Sequence, residues 1–98
     1  MPTFVCLFNW TDQGIKNVRD TTKRAERFRQ AIKKAGGTMK GIYWTLGRYD
    51  GLIVFDVPDE ETATAIMLSG GTLGSVRTET LRAFEAAEMD KILDKMRA

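Results

Sequence analysis

The order of local signals along the chain predicts an α+β fold, β-α-β-β-α-β-α, with four strands, two crossover helices and an extra C-terminal helix. Three observations carry that reading. Short runs rich in β-branched, aromatic and apolar residues stand at positions 3–10, 38–46, 52–57 and 76–84. In the segments between and after them, apolar residues recur in steps of three and four. Glycine pairs and a Pro-Asp pair punctuate the boundaries. Four strands joined by two crossover helices make the ferredoxin-like βαββαβ arrangement, a four-stranded antiparallel sheet with both main helices on one face.

The first strand is TFVCLFNW, residues 3–10. Thr11 or Asp12 caps the following helix by accepting a backbone N–H, and Gly14 weakens its start. Ile15, Val18, Thr22, Ala25, Phe28, Ile32 and Ala35 share one helical face, with a break at Asp20-Thr21-Thr22 where a second, longer helix begins. Gly36-Gly37 ends that helix, because glycine takes the left-handed C-cap conformation without steric penalty. The second strand, TMKGIYWTL (38–46), leads into the turn Gly47-Arg48-Tyr49-Asp50-Gly51. The third, LIVFDV (52–57), is almost continuously apolar and stops at Pro58-Asp59. Asp59 caps the next helix, and Glu60 and Glu61 suit its positive end. Ala63, Ile66 and Met67 form that helix's buried stripe, which Gly70 extends. Residues 70–75, GGTLGS, read as a flexible connection: the glycines precede a strand and lack the Gly-Lys-Ser/Thr ending of a phosphate loop. VRTETLRAF (76–84) alternates as the fourth strand. Residues 85–97 form the last helix, with Ala86, Met89, Ile92, Leu93 and Met96 on one side.

Such a sheet needs one polar face if it is to stand alone in water. Here neither face is polar. Strand 1 divides into Val5 and Leu7 against Phe4, Cys6, Phe8 and Trp10; strand 3 into Leu52, Val54 and Asp56 against Ile53, Phe55 and Val57. Strict alternation sets Ile42, Trp44 and Leu46 of strand 2 opposite Met39, Tyr43 and Thr45. A bare face of this kind exceeds the few hundred Å² usual for an exposed apolar patch. A second copy packed sheet to sheet would cover it, which predicts a homodimer built as a dimeric α/β-barrel. The structural alternative is that the C-terminal helix folds over the sheet.

The 98 residues suit a single domain, 1–98. The N-terminus has no basic n-region and no long apolar run, so neither a signal peptide nor a membrane span is expected and the cytoplasm is the expected compartment. The lone Cys6 has no intramolecular disulfide partner and reads as a small buried residue. Histidine is absent, which excludes a histidine-ligated haem, a typical zinc centre and a Ser-His-Asp triad from this chain. No metal and no cofactor is expected. Net charge is +2, but residues 16–34 hold eight basic residues against two acidic ones. A helix of that kind could touch phosphates, yet Phe28 is its only aromatic residue and reads as core-facing. The segment reads as a solvated helix face, which argues against nucleic acid as a partner.

Several residues qualify for chemistry. In the Gly47–Gly51 turn, Asp50 can hydrogen-bond local backbone and Tyr49 can pack its ring, which is a purely structural account. Alternatively the pair lines a pocket mouth, with Asp50 binding a cationic group or serving as a general base and Arg48 holding a carboxylate. Asn9, Trp10, Asp12 and Gln13 cluster where strand 1 meets the helix. Trp10 there is a pocket wall and Asn9 a polar anchor, or else the cluster satisfies the helix start. Trp44 reads as packing or as part of a ligand site. Arg77 and Glu79 are either paired ions at a dimer interface or a polar floor for an anionic ligand.

The segments NWTDQGI, GIYWTLGRYD and GSVRTETLRAF carry a resemblance to the GYD-domain family, named for a Gly-Tyr-Asp signature present here as Gly47, Tyr49 and Asp50. The resemblance covers nearly the whole chain and implies a small stand-alone bacterial protein of the dimeric α/β-barrel group, with no settled activity. The Gly-x-Tyr-Asp turn is also similar to one in the effector-binding domain of leucine-responsive transcription regulators, where amino acids bind at a subunit interface. No helix-turn-helix accompanies it here, so DNA binding is not implied. Three functions remain open: a homodimeric binding or sensing module for a small ligand; a cofactor-independent isomerase or monooxygenase-like enzyme; and a protein that assembles into rings.

Overall fold

The computed structural model describes residues 1–96, and its elements follow the predicted order. They are β1 (Thr3–Trp10), α1 (Asp12–Lys16), a 3₁₀ turn (Val18–Asp20), α2 (Thr21–Lys34), β2 (Thr38–Trp44), β3 (Gly51–Asp56), α3 (Glu60–Thr72), β4 (Val76–Ala83) and α4 (Ala86–Leu93). The strands form one sheet in the order β2-β3-β1-β4, each neighbouring pair antiparallel. This α+β arrangement is compatible with the ferredoxin-like fold.

The caps act where the sequence puts them. Thr11 Oγ1 accepts the Gly14 N–H at 3.0 Å and Asp59 Oδ1 accepts the Thr62 N–H at 2.7 Å. The bonds from Thr62 hold the Asp59 carboxyl below its usual range. At the end of α2 the Gly36 N–H reaches the Lys33 carbonyl and the Gly37 N–H the Ile32 carbonyl. Gly36 has φ +86°, the left-handed residue that this paired closure requires.

The helices lie on one face of the sheet. Phe4, Cys6 and Phe8 of β1, Ile53 and Phe55 of β3 and Met39 of β2 meet Ile32 of α2 and Ala63 of α3 there. Phe55 is the centre, fully buried, stacked on Phe4 at 5.7 Å between ring centroids and edge-on to Phe28 at 6.4 Å. Met39 departs from the strict alternation expected of β2. The register shifts between Met39 and Gly41, so Met39 pairs with Phe55 and Ile42 with Ile53, all on the helix face. Lys40 is the extra residue of this bulge. It ion-pairs Asp56 at 3.5 Å and also Glu85, whose hydrogen bond is the main cause raising the lysine's pKa.

Three boundaries differ from expectation by more than one residue. β2 stops at Trp44, leaving Leu46 fully exposed. α3 continues through Gly70-Gly71 to Thr72, so the glycine pair is helical rather than a loose connection, and Gly74, at φ +81°, takes the left-handed position. Gly70 lies beside Phe28, where an added Cβ would make an ordinary contact at 3.9 Å. α4 ends at Leu93; of the expected helix 85–97, residue 97 lies outside the described residues.

Among the described residues nothing covers the other sheet face. Val5, Leu7, Leu52 and Val54 are half-buried along its middle, and Tyr43 and Leu81 are 63% and 46% exposed. α4 does not cover this face: it makes only marginal contact with the strands, and Met89, Leu93 and Met96 point to solvent. Its start is tied down at the sheet end by the Lys40–Glu85 pair and by Arg82, whose Nη2 lies 3.0 Å from Glu88 Oε2. The radius of gyration, 14.8 Å, exceeds the roughly 12.6 Å expected of a compact chain of this length.

Candidate functional site

β1 and β2 both run toward the same end of the sheet, and each finishes on a tryptophan. Trp10 and Trp44 thereby flank the start of α2, where a cavity of about 120 Å³ opens between sheet and helices. Its floor is Cys6, Phe8, Ile42 and Ile53; its far side is Met67 and Gly70 of α3 with Val76 and Thr78 of β4. α2 contributes Thr21, Arg24, Ala25 and Phe28. The lining is predominantly apolar, with few polar groups, as small-molecule pockets are.

Those polar groups are specific. Trp44 Nε1 donates to Thr21 Oγ1 at 3.1 Å, joining β2 to the first turn of α2. Arg24 Nη1 donates to the Asn17 carbonyl at 3.1 Å, while its Nη2 is buried with no hydrogen-bond partner among the described residues. Burial pushes the Cys6 thiol up in pKa, with a smaller opposing effect from Thr80. Cys6 is therefore an inert wall.

The Gly47–Gly51 turn is a second constellation at the same end of the sheet. The Asp50 N–H donates to the Phe8 carbonyl at 2.9 Å and Thr45 N–H donates to the Asp50 carbonyl at 2.9 Å, extending the ladder past β3. Asp50 Oδ2 accepts the Trp10 N–H at 2.9 Å and lies 3.5 Å from Asn9 Nδ2, which also donates to the Arg48 carbonyl at 2.8 Å. Tyr49 reaches across β1: its hydroxyl donates to Glu79 Oε1 of β4 at 3.1 Å. Arg48 sits 5.8 Å from the Tyr49 ring centroid. Gly47 has φ +106°, and a Cβ at Gly51 would collide with the Phe8 ring. Every member of the signature thus has a structural task.

Of the residues singled out in the sequence, Trp10 and Trp44 line the cavity. Asn9, Arg48, Tyr49 and Asp50 form the turn network outside that lining, and Asn9 is separated from Trp10 by strand alternation. Arg77 is exposed, opposite Asn9 in the β1–β4 register, and is not part of the cavity. Sequence reasoning missed Thr21 and Arg24. The 3₁₀ turn resets the helical phase at Thr21, bringing Thr21, Arg24 and Phe28 onto one stripe in place of Thr22. The signal was the spacing back from Phe28 by four and then three residues.

Among the described residues no cluster of three or more His, Cys, Asp or Glu could hold a metal ion, and no helix is long and apolar enough to cross a membrane. A relative from Thermus thermophilus, named "Glutamine synthetase and cystathionine beta-lyase binding protein", is 32% identical over 90 residues, spanning 91% of this chain and 95% of that one. A crystal structure of a Thermus thermophilus protein matches with a TM-score of 0.54 at 25% identity, covering 88% of this chain and 96% of the other. The pattern of the GYD domain family runs through residues 4–93, from the second residue of β1 to the end of α4, and this chain belongs to that family.

Proposed function

We propose that the protein is a non-catalytic, single-domain binding module that works as a homodimer, joining two copies through the uncovered sheet face as a dimeric α/β-barrel and holding a small amphipathic molecule in the cavity behind it. The observation that carries this reading is the division between the two sheet faces: one apolar and bare, the other bearing a cavity flanked by two tryptophans. The binding role is in keeping with the name of the Thermus thermophilus relative. A catalytic reading has less support. Asp50, its best candidate base, spends its carboxylate on Trp10 and Asn9 and lies outside the cavity lining. Native mass spectrometry of the purified protein tests the proposal. A dimer carrying a small ligand supports it, and an empty monomer overturns it.

The relative's name favours a second, compatible reading, that the module docks on enzymes. The exposed apolar residues of α4 and its flanks, Phe84, Met89, Leu93 and Met96, offer a contact surface for that purpose. Sedimentation with purified glutamine synthetase and with cystathionine β-lyase checks it: co-migration that disappears in Met89→Glu and Leu93→Glu supports docking through α4.

A further inference from the structure

The cavity wall offers polarisable surface and no free charge. Arg24 is the only charged side chain on it among the described residues. Its Nη1 donates to the Asn17 carbonyl, and its Nη2 is buried and faces no open space. Cys6 adds no charge, because burial holds its thiol in the protonated form. An ion entering this space would shed its water and receive no paired partner in return. What the wall does present is Phe8, Trp10, Phe28 and Trp44, with the sulfur-bearing Cys6 and Met67. Such groups favour the face or the edge of an aromatic ring. The space, about 120 Å³, is close to the ~150 Å³ of an apolar cavity that takes up a single benzene ring. Left empty, it forfeits dispersion contacts that its lining would make with a guest.

We infer that the cavity binds an uncharged molecule built on one aromatic ring, carrying at most one small polar group such as a hydroxyl. This rests on the binding-module reading and names its ligand class. Thr21, Ser75 and Thr78 are the hydroxyl-bearing residues of the wall, and a hydroxyl gives or takes a hydrogen bond without requiring a charge. A cation of the same shape would meet repulsion from Arg24. An anion would gain only the long-range attraction of Arg24, with no open donor to close a charge-assisted bond. The volume suits neither a long acyl chain nor a polycyclic molecule.

Both tryptophans of the sequence line the cavity, so intrinsic fluorescence reports its occupancy. The test titrates wild-type protein near neutral pH with benzyl alcohol, benzoate and benzylamine, three one-ring molecules that differ in charge. The expected result is a saturable fluorescence change with benzyl alcohol at a Kd of about 1 mM or below, with affinity for both ions about tenfold weaker or worse. Ala25, on the α2 side of the cavity, provides the blocking variant. Ala25→Leu sets a larger apolar side chain in the space and should abolish the response to benzyl alcohol while keeping the native circular dichroism. Undiminished binding by the folded variant would overturn the placement of the ring. An ion that binds as tightly as the alcohol would overturn the uncharged assignment while leaving the binding cavity in place, and that comparison needs no variant to fold. Saturable binding of none of the three overturns this inference, and native mass spectrometry then decides separately whether the module holds any small ligand.

Discussion

The Asp50 carboxylate accepts the Trp10 backbone N–H at 2.9 Å, tying the β2–β3 turn to the last residue of β1. The β1–β3 ladder ends with Phe8 opposite Gly51, so beyond it the Trp10 N–H has no β3 carbonyl to meet. The side chain supplies the missing acceptor. Asp50→Ala is therefore expected to destabilise the fold by about 1–3 kcal/mol, the usual cost of stranding a partly buried donor. Asp50→Asn keeps a carbonyl oxygen in place and should lose less than half as much. Urea denaturation of the three proteins checks the order, and a fully stable Asp50→Ala variant would remove the bond from the account of the turn.

The two glycines of that turn are required for different reasons, and the difference is measurable. At Gly51 a Cβ would run into the Phe8 ring and come within 2.7 Å of the Tyr43 carbonyl oxygen. At Gly47 nothing lies within 4 Å, and the constraint is φ +106° alone. Gly51→Ala should cost about 1–3 kcal/mol through overpacking of the strand end. Gly47→Ala should cost about 1 kcal/mol through backbone strain. The denaturation midpoints should fall in that order, with little change in slope. A reversal would place the strain in the loop and not at the sheet.

The strand and helix order was legible because each boundary has a local cause: the Asp59 cap, the glycine closure after α2, and the alternation of β4. What escaped depended on non-local fit. The bulge at Lys40 has no distinctive residue; it follows from pairing Met39 with Phe55 while Lys40 turns to Asp56. Gly70-Gly71 signals a loop locally, yet α3 passes through it against Phe28. Trp10 was readable as a pocket wall because it ends β1, whereas Trp44 stood inside the expected strand 38–46 and only the early stop of β2 sets it at the strand end. Arg24 was hidden among seven other basic residues of its segment, and only the phase reset at Thr21 turns it inward.

The hold of α4 on the sheet should depend on pH. Glu88 has its pKa lowered from 4.5, first by its hydrogen bond with Arg82 and then by the Glu85 backbone N–H. A carboxyl depressed in the folded state adds stability that is full above its unfolded pKa and is lost as pH falls through the folded one. Wild-type protein should therefore exceed Glu88→Gln in melting temperature at neutral pH. The gap should narrow below about pH 4.5, where the unfolded chain begins to take up the proton, and close once the folded Glu88 is protonated too. Salt should narrow it as well, since the pair is partly exposed. Thermal melts across that range check the sign; a gap that widens on acidification contradicts the pairing.

The uncovered sheet face makes the strongest demand on a second copy. Val5 lies at its centre, flanked in register by Val54 on one side and Leu81 on the other. In a two-fold interface every substituted residue appears twice, so one new charge per chain places two in the shared core. Val5→Glu should weaken dimerisation about a hundredfold or more, on the order of 3 kcal/mol, because each carboxylate must shed water with no partner. The variant subunit should stay folded, since Val5 faces away from the Phe55 core and is only half-buried. Leu46→Glu, at a fully exposed loop position, is the control and should leave association unchanged. Sedimentation equilibrium over micromolar concentrations reads all three proteins. A wild-type chain that remains a monomer throughout would mean that this apolar face tolerates water, and the barrel would lose its physical reason.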